Sequence, residues 1–259
     1  MANALQFNGS PDKIAFGNIL NSQTIFSVCI WFQIGATPSG NADIIFGYGN
    51  RRWFLIHEAN GTNFRFTVRI SAVEQGTGNT TFNPSLNTWY FAVGTYDPDG
   101  GSDNLTLRVY NSSGVLQEAR TATKTGAVET TASALEAGHD PNRGFFWQGT
   151  VQLLKVYSRV LTTTEQNNLA LFIDPNSVSL EGVWDINEGS GTNVNDISGA
   201  DNDGTITGST WITTGIGTTT STSTSSSTST TSTSTSSSST STSTSTTTTF
   251  PFPFFVRRV

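Results

Sequence analysis

The chain is short of cysteine, histidine and charge, and each shortage removes a class of function. One cysteine, Cys29, occurs in 259 residues, so no intrachain disulfide framework exists. It sits in the apolar run Phe26-Ser27-Val28-Cys29-Ile30-Trp31-Phe32 and reads as a buried structural thiol. A catalytic cysteine would need a histidine partner, and only His57 and His139 are present. Charged residues make up 12% of the chain, with a formal net charge of −6. The basic residues form no stripe, which argues against a nucleic-acid surface. The acidic balance favours solubility and cation binding. No segment reaches the length of a transmembrane helix. The opening, Met1 to Phe7, lacks the basic and apolar regions of a signal peptide. We expect a mature chain, another export route or a virion component, at an extracellular or virion surface.

What remains is rich in strand signals. Ala4-Leu5-Gln6-Phe7 and Lys13-Ile14-Ala15-Phe16 flank the turn Asn8-Gly9-Ser10-Pro11-Asp12. Phe26 to Ile34 is almost wholly apolar, as expected of a central strand buried on both sides. Phe64 to Ile70 alternates apolar and polar residues, so one face should be wet. Trp89 to Tyr96 and Leu105 to Tyr110 flank the acidic, glycine-containing loop Asp97 to Asn104. Asn111 to Gly114 reads as a turn. Phe145 to Tyr157 suggests two strand pieces around Gly149. Thr162-Thr163-Thr164-Glu165 has capping-box spacing and predicts a short helix through Leu171. Many strands with one helix predict an all-β antiparallel jelly-roll sandwich over residues 1–217.

Several of these segments are similar to one family. Ala4-Leu5-Gln6-Phe7-Asn8-Gly9, the Phe26–Phe32 strand, Trp89-Tyr90-Phe91-Ala92-Val93, and Phe145 to Leu161 with its following cap resemble the strands of laminin-G-like, concanavalin A-like lectin and glucanase jelly rolls. Glu181 to Thr192, running on to Trp211, resembles the segment that usually precedes the opening strand in that family; here it follows. Residues 180–217 therefore either return to their own domain, as in a circular permutant, or supply strands to another copy. Related glucanases carry a Glu-x-Asp-x-x-Glu strand. No such strand occurs here, and Asp185 and Glu188 are the nearest approach. With no nucleophile motif, phosphate loop or paired metal-binding histidines either, a non-enzymatic module is expected.

Calcium is the cofactor the acidic loops would suit. Asp196, Asp201 and Asp203 form one cluster, and Asp97, Asp99 and Asp103 another. Hard cations take oxygen ligands gathered in such loops, although Asp also favours turns on its own account. A glycan-binding face is implied by fold analogy, with Trp53 and Trp147 as stacking candidates, unless they pack the core. N-glycosylation patterns occur at Asn8, Asn60, Asn79, Asn104 and Asn111.

The remaining segments are unlike the rest. Thr218 to Thr249 is an unbroken run of 32 Ser and Thr residues. It has nothing apolar with which to build a core and reads as a linker or O-glycosylated stalk. Extended, it spans roughly 100 Å, against a body about 45 Å across. It ends in the peptide 250–259, where Phe250, Phe252, Phe254 and Phe255 alternate partly with proline, and Arg257 and Arg258 follow. Free apolar residues on such a tether invite association. The leading expectation is a structural fibre subunit that docks this peptide head-to-tail into a neighbouring copy. A carbohydrate-binding adhesin on a glycosylated stalk is the alternative, and a glycoside hydrolase relative stands third. No nucleic acid or membrane span is expected among its partners.

Overall fold

The computed structural model describes residues 2–216, apart from residues 21, 39–41, 50, 60–62, 131 and 141–143. The expectations for the Ser/Thr run, the terminal peptide and Asn60 lie outside the described residues. Its strands are β1 (Ala2–Asn8), β2 (Lys13–Ala15), β3 (Phe26–Ile34), β4 (Asp43–Tyr48), β5 (Trp53–His57), β6 (Phe64–Ile70), β7 (Val73–Gly76), β8 (Trp89–Tyr96) and β9 (Leu105–Asn111). They continue with β10 (Leu116–Ala122), β11 (Leu135–Ala137), β12 (His139–Asp140), β13 (Phe145–Phe146) and β14 (Gln148–Tyr157). After helix α1 (Thr163–Leu169) come β15 (Leu180–Trp184), β16 (Asn193–Val194), β17 (Gly204–Thr207) and β18 (Thr210–Gly215).

Two antiparallel sheets face each other. The first runs β10-β9-β8-β3-β14-β1-β18, with β15 also paired to β14; the second runs β16-β17-β2-β11-β4-β5-β6-β7. The inner layer draws Phe26, Val28, Ile30 and Phe32 from β3 against Phe46, Trp53, Phe64 and Phe66 of the second sheet. Trp53 is central to it, with ring centroids 5.6 Å from Phe26 and 5.4 Å from Phe46. Each such side chain contributes on the order of 1.5 to 3 kcal/mol by burial.

The intervening residues of β3 explain why that strand is apolar throughout. Cys29 and Trp31 point to the opposite face, into a second apolar layer with Phe91, Tyr110, Leu161 and Leu169. There Trp31 stacks on Phe172 at 4.7 Å, with 7° between the planes. Helix α1 and its flanks form the cover. Its N-cap carries a complete capping box: Thr162 Oγ1 accepts the Glu165 N–H at 3.3 Å, and Glu165 Oε2 accepts the Thr162 N–H at 2.8 Å. Arg159 donates to both Glu165 oxygens, at 2.9 and 2.7 Å.

The chain does not break at Gly149, as its sequence suggests. Strand β14 runs through that residue, which pairs with Phe7 on one side and Ile34 on the other. The break falls at Trp147 instead. The glycine is required by packing, since a Cβ there would lie 2.2 Å from the Trp147 ring and 2.5 Å from the Gln33 carbonyl.

Residues 180–215 pair with strands of their own chain. Strand β15 pairs with β14, β17 with β2, and β18 with β1. Trp184 is fully buried against Phe16 at 4.3 Å, and its Nε1–H donates to the Asn202 carbonyl at 2.8 Å. Ala2 lies opposite Gly215, so the two ends of the body are neighbours on one sheet edge.

Candidate functional site

Most of the described residues singled out from sequence have structural roles. Trp53 and Trp147 have no exposed surface. They cannot stack on a sugar, because the sandwich interior consumes both faces of each indole; this corrects their assignment. The acidic loops are built as turns. Among the described residues, no three acids, histidines or cysteines come together as a metal site. Their carboxylates accept protein hydrogen bonds instead. Asp196 Oδ1 accepts the N–H groups of Val183 at 3.0 Å and Ser198 at 2.9 Å, and its Oδ2 accepts that of Asn202 at 3.1 Å. Burial raises the Asp196 pKa, but these bonds outweigh it and hold the carboxyl below its ordinary range. Asp203 Oδ1 accepts the Asp196 N–H, and Asp201 occupies a left-handed turn position at φ 58°. In the other loop, Asp97 Oδ1 accepts the Asp99 N–H and Asp103 Oδ1 accepts the Thr121 hydroxyl. These are turn-forming roles.

The glycosylation patterns divide. Asn8 and Asn79 are exposed and Asn111 is half-buried. Asn104 is 7% exposed, and its amide donates to the carbonyls of Asp97 and Lys124, each at 2.7 Å. The nitrogen that would carry a glycan is already engaged, which corrects that position. Asp185 and Glu188 stand close enough to influence one another. Burial and then the Glu188 charge raise the Asp185 pKa, while Glu188 Oε1 accepts the Asn195 N–H at 2.7 Å. Cys29 is enclosed, and burial pushes its thiol up to about 12.

The site that the structure does build is a polar cleft of about 500 Å³ at one end of the sandwich. Four separate stretches line it: Asn8 to Ser10, Ala36 to Pro38, Asp43, and Gly144, Phe146 and Gln148. Each is fixed from behind. Buried Asp12 accepts the Asn8 N–H at 2.7 Å, and Asn8 Oδ1 accepts the Ser10 N–H at 3.0 Å. Gly9 holds φ at 92°, which lets the turn close without a Cβ penalty. The Gly35 N–H donates to the Gln148 carbonyl at 3.0 Å, fastening the second stretch to β14.

The aromatic wall is built similarly. Phe146 is half-buried and stacks on His139, with centroids 4.5 Å apart. His139 Nδ1 lies 2.8 Å from Glu136 Oε2, and Lys13 Nζ donates to Glu136 Oε1 at 2.8 Å. The Lys13–Glu136 ion pair therefore steadies the carboxylate that holds the imidazole behind the phenyl ring. Asp43 stands at the start of β4, in register with His57. Burial raises its pKa to about 6. Among the described lining residues it is the only charged one.

The cleft thus offers amides, hydroxyls, one carboxylate and part of one aromatic ring. Sequence reading missed it because its parts are distant along the chain. The available signal was the carboxylate of Asp43 placed directly before the apolar run Ile44-Ile45-Phe46.

Comparison with known proteins agrees with this architecture. The family model for laminin-G domains, described as the concanavalin A-like lectin/glucanases superfamily, matches residues 8–165. A candidate carbohydrate-binding protein from Bacteroides ovatus has a similar fold, with 14% identity and a TM-score of 0.59 over 82% of this chain. This chain spans 60% of that protein's length. A SAP-like pentraxin from Limulus polyphemus is similar at 15% identity and a TM-score of 0.48, covering 65% of this chain and 82% of its own. The sialidase carbohydrate-binding module of Ruminococcus gnavus, solved with sialyllactose, shows 10% identity and a TM-score of 0.47 over 64% of this chain and 95% of its own. No curated protein matches the chain. Its two antiparallel sheets, its capped helix and the matched span place the chain in the concanavalin A-like lectin/glucanase superfamily, as a laminin-G domain.

Proposed function

We propose that the body is a non-catalytic glycan-binding module, presented on its Ser/Thr run at an extracellular or virion surface. The observation that carries this reading is the cleft. Its polar lining suits a polyhydroxylated ligand, and the Phe146 ring offers an apolar surface for a sugar's C–H face. Asn8 and Gln148 can each donate and accept hydrogen bonds, and ionised Asp43 can accept two hydroxyls at once. Hydrolysis by paired carboxylates needs a second acid about 5 to 10 Å away; Asp43 is the only acid among the described lining residues. Membership of a lectin superfamily and the likeness to the Bacteroides ovatus protein support the same reading.

The test is a glycan array probed with the full chain, followed by calorimetry on the strongest hit. Binding should weaken at least tenfold in Gln148→Ala and in Asp43→Asn. It should also weaken as pH falls through about 6, where Asp43 gains its proton. Release of reducing sugar, or binding indifferent to both substitutions, would overturn the reading.

A second reading, the head-to-tail fibre subunit, is supported by a different feature. Strand β18 ends the first sheet with an uncharged edge that no other described strand covers.

A further inference from the structure

We propose that the peptide Phe250–Val256 of one copy adds as a strand to the outer edge of β18 in another copy. The inference rests on the fibre reading and supplies its contact. Its first support is the contrast among the sheet edges. Natural edges are commonly blunted by charge or kept short. Strand β10, at the far end of the same sheet, carries the ion pair Arg120–Glu118 at 2.7 Å. In the second sheet, β7 carries Glu74, paired with Arg51 at 2.8 Å, and β16 has two residues. Strand β18, Thr210-Trp211-Ile212-Thr213-Thr214-Gly215, is six residues long and has neither charge nor proline. Among the described residues, β1 is its one strand partner. Three of these six residues are threonine and one is isoleucine, β-branched types that suit a pleated strand.

The second support is the pattern of the peptide. In an extended strand, successive N–H groups point to opposite sides, as successive side chains do. Pro251 and Pro253 are two residues apart, so their missing N–H groups fall on the same side. The N–H groups of Phe250, Phe252, Phe254 and Val256 then all lie on the other side. Such a peptide can pair along one edge and is unable to extend the sheet beyond itself. Each proline also biases the residue before it toward extended backbone. Strand addition of this kind draws affinity from the backbone and specificity from alternate side chains.

The third support is where the described chain ends. Ile216 directly follows β18 and packs into the outer apolar layer, and its carbonyl accepts from Gln152 Nε2 at 2.6 Å. Every copy thus offers one acceptor edge and one donor peptide, tied to the same strand by the Ser/Thr run. A contact between unlike surfaces, repeated without closure, gives open chains.

The experiment compares full-length variants by sedimentation velocity across a hundredfold concentration range, with hydrogen exchange read at β18. Wild type should grow in mass with concentration, and its β18 amides should slow at least tenfold as it does. Phe252→Pro removes an inward N–H and should abolish both effects, whereas Phe252→Leu should preserve them. Thr210→Lys with Thr214→Lys, both at exposed positions, should act like Phe252→Pro without lowering the melting temperature. If the lysine pair leaves assembly intact while deletion of residues 250–259 abolishes it, the peptide docks elsewhere; the edge is then wrong and the fibre reading stands. Wild type that stays monomeric at every concentration overturns both, whether or not β18 is protected. Equal behaviour of the proline and leucine variants would reduce the contact to apolar stickiness and overturn strand addition.

Discussion

The two outer faces of the sandwich are covered in opposite ways. Over the first sheet lie α1 and its flanks, which bury Cys29, Trp31, Phe91 and Tyr110 in a continuous apolar layer. Over the second sheet the buried apolar group is small, consisting of Ile44, Phe54 and Ile56. Beside it, Arg51 stands over the Phe54 ring at 5.3 Å and bridges the carboxylates of Asp140 and Glu74. Burial opposes the Arg51 charge, but the hydrogen bonds it donates to these two acids more than offset that and keep the guanidinium ionised. An apolar cover commits its side chains to folding. The β12–β13 hairpin instead leaves Phe146 half-exposed at the mouth of a cleft, where it can meet a ligand.

This contrast can be broken from either side. Trp31→Ala should cause the largest loss, about 4 kcal/mol, because it empties the centre of the apolar cover; denaturant titration would measure it. Arg51→Met should cost about 3 kcal/mol, because it takes the guanidinium from Asp140, a carboxylate with no exposed surface. Adding Asp140→Asn to that variant should recover part of the loss, whereas no second polar change should rescue Trp31→Ala. Thr162→Ala removes the capping box and should cost about 1.5 kcal/mol in thermal melts.

The smallest change sharpens the comparison most, because it should appear at one pH and vanish at another. The Asp43 pKa is about 6 in the fold, against an ordinary 3.8. A raised carboxyl pKa favours the fold when protonated. That contribution is complete below about 4 and is lost as pH rises through about 6. Asp43→Asn should therefore stabilise the protein above pH 6, by under about 1 kcal/mol after allowance for solvent screening, and should do nothing of the kind at pH 3. Paired melts at the two pH values would show it.

The layers of the fold were legible because they repeat along the chain. Phe26 to Ile34 is apolar but for Ser27 and Gln33, and the structure covers both its faces. The spacing from Thr162 to Glu165 announced the cap, and the displaced phrase from Glu181 to Thr192 announced a segment that returns. Individual roles were less legible. Nothing local distinguishes an aspartate that binds a cation from one that closes a turn, and Asp196 does the latter through three N–H groups. Nor does an indole's sequence position say which of its faces is free; the cross-strand neighbours of Trp53 decide that. The cleft was illegible for a third reason. Asn8, Thr37 and Gln148 meet because β1 and β3 both pair with β14, and Asp43 joins them from β4 of the facing sheet, an arrangement written across the whole body.

The most direct measurement is a chemical-shift map of the isotopically labelled full chain, titrated with the strongest glycan from the array. Shifts should concentrate at residues 8–10, 36–38, 43 and 144–148, with those of the Asp43 carboxyl fading as pH falls below about 6. Shifts gathered elsewhere on the sandwich, or conversion of the glycan during the titration, would contradict a binding cleft built at the edge of the polar cover.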